Sequence, residues 1–479
     1  MRFCFRTRHR HGLLAGVLGV LMPGASSAAD WHFAPYLELA ETYTDNVTLQ
    51  ASAQAESDRV TEVNPGFSLT SQGRELQLSF GYRMQNLFYA NDSRRDNVNH
   101  QMQAQAHGIV APEWLFLDAN ASLSQQVLSP SDSVSFGNIA SAGNREDVLS
   151  TSVSPNIQMH LGPSAVSTLR YTQSQVKYSG STTAITEDSV TDSIDAQIRA
   201  AHPLGAWTWS MDALKEDIQY SKGRADESRK NIVMNFGYRL SYRFQLTGMI
   251  GREDNQYATL PGAPATQGNS WNSGLVWTPS PRTTMTLGVG HRYFGSTKNL
   301  NFSHRGRRND WQLSYLDDLF SRRQSQLHKI GDFPVNNPDT QLPEIRPFYE
   351  LLTTEEVFIR HRSEFQWKVH ARKLTFSSRM FFEKREFQLS GEDERIGGGD
   401  MGWEWRVSRY SNINVDWGRQ GSSQVGSADT YRYAGLGWER KLGPNAVGSI
   451  DLHHTIRDST VGGSGYEENL VTGRLRMTW

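Results

Sequence analysis

Ten charged side chains share one spacing pattern across the last quarter of the chain. Arg360, Arg362 and Glu364 sit at even intervals in the run 357–369, and Arg379, Glu383 and Arg385 do so in 373–388. Glu404 with Arg406, and Arg474 with Arg476, repeat the two-residue step further on. In an extended strand successive side chains point to opposite faces, so each set occupies one face. Guanidiniums lining an enclosed space would draw an anionic solute or polymer by focusing a positive field. The interleaved Glu364, Glu383 and Glu404 would instead neutralise them into a lattice that stiffens the wall. Both readings stay open at this level. Of the 49 basic residues 39 are Arg, the side chain suited to fixed bidentate ion pairs.

Other chemistries find little to work with. His453 and His454 are adjacent, so in a strand they face opposite ways and cannot chelate one metal together. His361 alternates with the inward set and is expected to face outward. The chain has no HExxH, CxxC or GxSxG, so no metal, cofactor or catalytic residue is expected and the protein does not read as an enzyme. The aspartates of ETYTDN and NDSRRDN read as turn and loop caps.

These side chains need strands to hold them, and the clearest strand is the last. In NLVTGRLRMTW, residues 469–479, the apolar Val471, Leu475, Met477 and Trp479 alternate with Thr472, Arg474, Arg476 and Thr478. An apolar stripe set back to back with an arginine-bearing one suits lipid on one side and water on the other. The terminal aromatic suits the C-terminal assembly signal of outer-membrane barrels, with Val471, Leu475, Met477 and Trp479 as its candidate residues. Similar alternation recurs upstream between turns. The short connections are SQG near 72, VAPE near 110, LGP near 161, HPLG near 202, LSYR near 240, PSPR near 279, GRRN near 306, ARK near 371, SRYSN near 408 and GPN near 443. Longer Gly-, Ser- and Asp-rich loops lie between them. This rhythm predicts an all-β fold, a single transmembrane antiparallel β-barrel of about 22 strands within a range of 18–24. Both termini are placed on the periplasmic side, and no plug domain is expected because strand pattern begins at once, over 32–45. One extracellular loop, 317–356, is too long for a passive connection and is stiffened by four prolines; it reads as a constriction or lid folded into the barrel mouth, since an unplugged barrel would otherwise leak, or as a surface loop packed on the rim.

The bulk numbers agree. Mean hydropathy is −0.57 with 37% hydrophobic residues and 11% aromatic, and no apolar run is long enough for a spanning helix. Residues 1–29 read as a signal peptide, with a basic start, the apolar LLAGVLGVLMPGA and cleavage after Ala29, leaving 30–479 as the barrel. The lone Cys4 lies in that leader, so the mature chain has no disulfide or thiolate site. Loss of four leader arginines, with no acid lost, takes the formal charge from −1 to −5. That balance excludes a nucleic-acid partner.

ETYTDNVTL (41–49), TEVNPGFSL (61–69), LSFGYRMQNLFYAND (78–92) and HRYFGSTKNLNFSHRGRRNDWQLSYLDD (291–318) resemble an outer-membrane β-barrel family associated with PEP-CTERM/exosortase systems. That family falls within the broader β-barrel porin grouping of exopolysaccharide-locus type. The resemblance implies a barrel in the outer membrane of a Gram-negative bacterium, with exopolysaccharide export as its context. It assigns no catalytic or binding residue. Implied partners are outer-membrane lipid, the barrel assembly machinery, polysaccharide and periplasmic export components. A general diffusion or uptake porin, or a non-conducting anchor for surface polysaccharide, are the alternatives.

Overall fold

The computed structural model describes residues 29–127, 135, 138–141, 145–179, 187–221, 224–321, 356–462 and 464–479. Residues 1–28, the bulk of the expected signal peptide, and 322–355, the bulk of the long loop, lie outside the described residues.

Twenty-two strands run in chain order. The first eight are β1 (Asp30–Thr44), β2 (Asp58–Gln72), β3 (Leu76–Tyr89), β4 (Asn97–Ala111), β5 (Leu115–Val127), β6 (Arg145–Leu161), β7 (Ala165–Ser179) and β8 (Ser189–Ala200). Next come β9 (Trp207–Tyr220), β10 (Glu227–Arg239), β11 (Phe244–Gln256), β12 (Gln267–Ser280), β13 (Thr283–Arg292), β14 (Gly295–Arg305) and β15 (Asn309–Phe320). The last seven are β16 (Phe358–His370), β17 (Leu374–Phe387), β18 (Asp393–Ser408), β19 (Ser411–Gln424), β20 (Ser427–Lys441), β21 (Ala446–Ser459) and β22 (Tyr466–Thr478). Each pairs antiparallel with its sequence neighbour, and β22 closes on β1 with Glu38 opposite Arg476 and Thr42 opposite Thr472. The expected all-β antiparallel barrel of 22 strands is the fold observed. Among the described residues, all from Asp30 onward belong to the wall or its connections. The ten short turns lie at or within a few residues of the expected places, with 240–243 and 371–373 matching end to end.

The two-residue period sorts the side chains. On β18 Trp403, Trp405 and Val407 are exposed on the outside, as are Trp417 on β19 and Leu436 and Trp438 on β20. Trp311, Trp367, Phe376 and Trp403 pack in succession across β15 to β18, with ring centroids 5.2–5.3 Å apart, and form a girdle near the short-turn end. On the other face polar residues such as Glu38, Thr42, Asn64, Gln103, Ser154 and Glu383 are buried. Apolar outside and polar inside is the arrangement that a bilayer selects. No described helix is long and apolar enough to cross a membrane.

Glycines let the wall take bulky inner side chains. Tyr36 lies opposite Gly66 with its ring over that residue, and Tyr433 covers Gly418 in the same way. Any Cβ at either position would overlap the ring. A tyrosine laid flat over a glycine shields backbone that would otherwise lack packing.

Candidate functional site

The charged residues singled out from sequence converge on the inner face of β16–β18. Antiparallel register sets Arg362 opposite Glu383, Gln366 opposite Arg379, and Arg360 opposite Arg385. Like charges directly opposite are unfavourable, and the wall resolves this by pairing each guanidinium elsewhere. Arg360 makes two 3.0 Å bonds back to Asp318 on β15. Arg385 reaches Glu383 and, at 3.0 Å, Glu394 on β18. Arg362 binds Glu383 at 2.8 Å and Glu364 at 2.7 Å, while Arg379 binds Asp400 at 2.8 Å. Four guanidiniums therefore meet five carboxylates: Asp318, Glu364, Glu383, Glu394 and Asp400. Aromatic faces complete the lattice, with Arg360 3.8 Å above Phe320, Arg362 5.1 Å from Phe381 and Arg385 5.3 Å from Phe358. At its centre Arg385 and Glu383 are each 2% exposed.

This is the self-neutralised alternative; no excess positive charge remains here to focus a field. Sequence reading missed Asp318, Glu394 and Asp400. Asp400 and Glu394 keep the even spacing of Glu404 and Arg406 on β18, so parity alone could have found them. The remaining members lie apart from the lattice. Glu404 and Arg406 share its face but are exposed near the short-turn end. Arg474 lies 3.6 Å from both Glu38 and Asp451, and Arg476 faces Glu38 across the closing seam.

Val471, Leu475 and Met477 line the outer face of β22, and Trp479, 64% exposed, anchors its amide on the Pro35 carbonyl at 3.0 Å. His361 alternates out of the lattice as expected and contacts Asp317 at 2.7 Å. His453 and His454 take opposite faces. Among the described residues no group of three or more His, Cys, Asp or Glu could hold a metal ion.

Elsewhere the inner wall mixes further ion pairs, such as Arg292 with Glu253 at 2.7 Å and Arg229 with Glu227 at 3.3 Å, with neutral hydrogen-bonding groups. Asn235 donates to Ser210 at 3.1 Å and to Asp212 at 2.8 Å, and Asn272 donates to Asn299 at 3.1 Å. Gly274 and Gly288 pair directly between them.

One feature of the mouth was not legible beforehand. Part of the connection between β5 and β6 packs onto the inner wall. Ile139 enters an apolar cluster with Val47, Val60, Leu87, Tyr89 and Leu470, and the Tyr89 hydroxyl donates to its carbonyl at 2.6 Å. Ser135 donates to Glu468 at 2.9 Å, and Asn138 donates to Gln85 at 3.0 Å. Arg145 holds both ends, bonding the Asn138 side chain and the Ser135 carbonyl. The expected inserted loop was 317–356, most of which lies outside the described residues. The β5–β6 connection, 128–144, is Ser-rich, less than half as long as 317–356, and carries one proline, Pro130, against four there.

No protein-family model matches the chain, and no curated protein does. Solved structures do share the fold. The siderophore receptor PirA from Acinetobacter baumannii aligns with TM-score 0.53 and 7% identity, over 95% of this chain and 81% of the receptor. The FrpB iron transporter from Neisseria meningitidis gives 0.52 and 9%, over 94% and 83%. A variant of the ferric enterobactin receptor from Pseudomonas aeruginosa, bound to enterobactin, gives 0.51 and 10%, over 95% and 82%. At such identities the likeness is one of fold.

Proposed function

We propose that this chain is an outer-membrane conduit for a polyhydroxylated polymer, with exopolysaccharide leaving a Gram-negative cell as the cargo. The observation that carries this reading is an inner wall whose β16–β18 charges are paired with one another and whose other positions include many amides and hydroxyls. Selectivity for small anions or cations needs a ring of uncompensated charge, and the Arg–Glu lattice has neutralised its own. Amides and hydroxyls both donate and accept, which suits a sugar's hydroxyls in any orientation. The sequence resemblance to the exopolysaccharide-locus family supports the direction of transport. Such a conduit needs no catalysis, since periplasmic export components would drive the polymer. Its other partners are outer-membrane lipid and the barrel assembly machinery, which would read the β22 stripe ending at Trp479.

Uptake of a small solute is the second reading, favoured by the fold shared with siderophore receptors and an iron transporter. Single-channel recording of the full chain in planar bilayers separates the two. Weak ion selectivity with transient block by neutral dextran oligomers is expected for the polymer conduit. Strong anion or cation selectivity without dextran block would overturn it in favour of small-solute uptake. A silent protein would point to the anchoring role.

A further inference from the structure

The outer surface carries a groove of about 740 Å³ across β17–β20. Its floor is backbone. Gly397 lies opposite Phe382 on one side and Gly421 on the other, and Gly399 lies opposite Met380 and Arg419. These glycines hold outward positions where the rest of the belt carries large apolar side chains. Met380 and Phe382, both about half exposed, form one wall, and Trp417 stands at the lower end.

Height along the barrel locates the groove. From Val407, the lowest apolar outer residue of β18, to Gly397 is ten residues, about 25 Å along the normal for a tilted strand. That is about the full thickness of the apolar band, so the groove opens in the outer leaflet. Arg395 stands at its upper border, where lipid headgroups begin, and Arg419, opposite Gly399, lies along its side two residues below Gly421. Their cationic neighbours are occupied: Lys384 contacts Glu386 at 2.6 Å and Asp393 at 3.1 Å, and Arg432 pairs with Asp458. Arg395 and Arg419 have no ion-pair partner among the described residues, and both are exposed.

We infer that this groove is a binding site for a phosphorylated, acylated lipid of the outer leaflet. An acyl chain lies on the glycine floor beside Phe382, and Arg395 and Arg419 hold the phosphate. Any membrane-facing patch is covered by lipid. What singles out this one is two free guanidiniums, one at headgroup height and one on a side chain long enough to snorkel up to it, whose planar forks match phosphate oxygens, bordering a channel that admits a chain down to the backbone. The inference rests on the outer-membrane reading above. Density fractionation of cell envelopes tests that location separately from the binding.

The full chain, purified in detergent, would be mixed with bisphosphorylated lipid A and read by native mass spectrometry. One lipid per barrel is expected. Arg395→Gln with Arg419→Gln should lower the bound fraction roughly tenfold or more. Gly421→Leu should do the same by filling the floor with both charges kept, whereas Arg432→Gln should change nothing. Heat-modifiable gel migration confirms that each variant folds. Equal binding of fully dephosphorylated lipid A, or undiminished binding by the double Gln variant, would overturn the site. Full competition by inorganic phosphate would reduce it to an anion site without a lipid.

Discussion

Tyr433 lays its ring across Gly418, the residue directly opposite it on the neighbouring strand, and the contact leaves no space for a Cβ. The tyrosine is buried against the inner wall, so it cannot swing aside without exposing the backbone that it covers. Gly418→Ala should therefore destabilise the barrel by about 1–3 kcal/mol, the usual cost of overpacking. Gly473 lies on the same kind of strand, with nothing within 4 Å of the place a methyl group would take, so Gly473→Ala should be near neutral. Urea unfolding of the two variants in the same detergent decides the matter. Equal stabilities would mean that the tyrosine ring is easily displaced.

The Arg385 guanidinium sits between Glu383 and Glu394, in a wall position closed to water. Removing one partner of a buried ion pair strands the other, which costs about 3–5 kcal/mol. Arg385→Met should show a loss of that order. Adding Glu394→Gln removes the stranded charge, and the double variant should recover much of the loss. If the second substitution instead adds to the first, Glu394 is stabilised by something other than Arg385. The double variant removes one charge of each sign, so its single-channel selectivity should change little.

Ile139 holds the β5–β6 segment to the wall by packing against Val47, Leu87 and Leu470. An aspartate there would bury an unpaired charge, which the segment escapes by detaching. Ile139→Asp should leave the barrel's unfolding midpoint nearly unchanged but raise the rate of proteolytic cleavage between β5 and β6 about tenfold or more. Ser135→Ala, which loses only the bond to Glu468, should raise it less. Unchanged cleavage in Ile139→Asp would show that Arg145 and Asn138 alone retain the segment.

Sequence carried most of the barrel because its two strongest constraints are local. Strand period shows in runs such as Met401 to Val407, and turn chemistry shows in GPN and ARK, so strand number and turn positions follow without any long-range information. Inward placement of Arg360, Arg362, Arg379, Glu383 and Arg385 follows from parity too. What parity leaves open is which carboxylate each guanidinium takes. Arg360 turns back to Asp318, 42 residues earlier, and that choice depends on register across a long loop. The packed β5–β6 segment was hidden for the same reason, since Ile139 meets Leu470 only because the barrel closes β22 onto β1. The outer groove was invisible because a run of glycines reads as flexibility until its neighbours are known.

Tyr257 and Tyr293 join the connection after β11 to the one after β13 through hydroxyls 2.9 Å apart, outside the spanning strands. Burial raises the Tyr293 hydroxyl's pKa, and the neighbouring Tyr257 raises it further. Burial raises Tyr257 as well, although its hydrogen bond to Tyr293 opposes the shift. With folded values above the ordinary tyrosine value of about 10, the pair favours the folded state fully below pH 10. That contribution is lost as pH climbs through the folded values, because the unfolded chain releases its phenolic protons first. Alkaline spectrophotometric titration of the folded barrel should therefore show tyrosines that ionise late, and Tyr293→Phe should remove at least one of them. The variant should also be less stable than wild type at pH 8, with the gap narrowing above pH 10. A gap that widens with pH would reverse the sign and show that the pair is held by its ionised form.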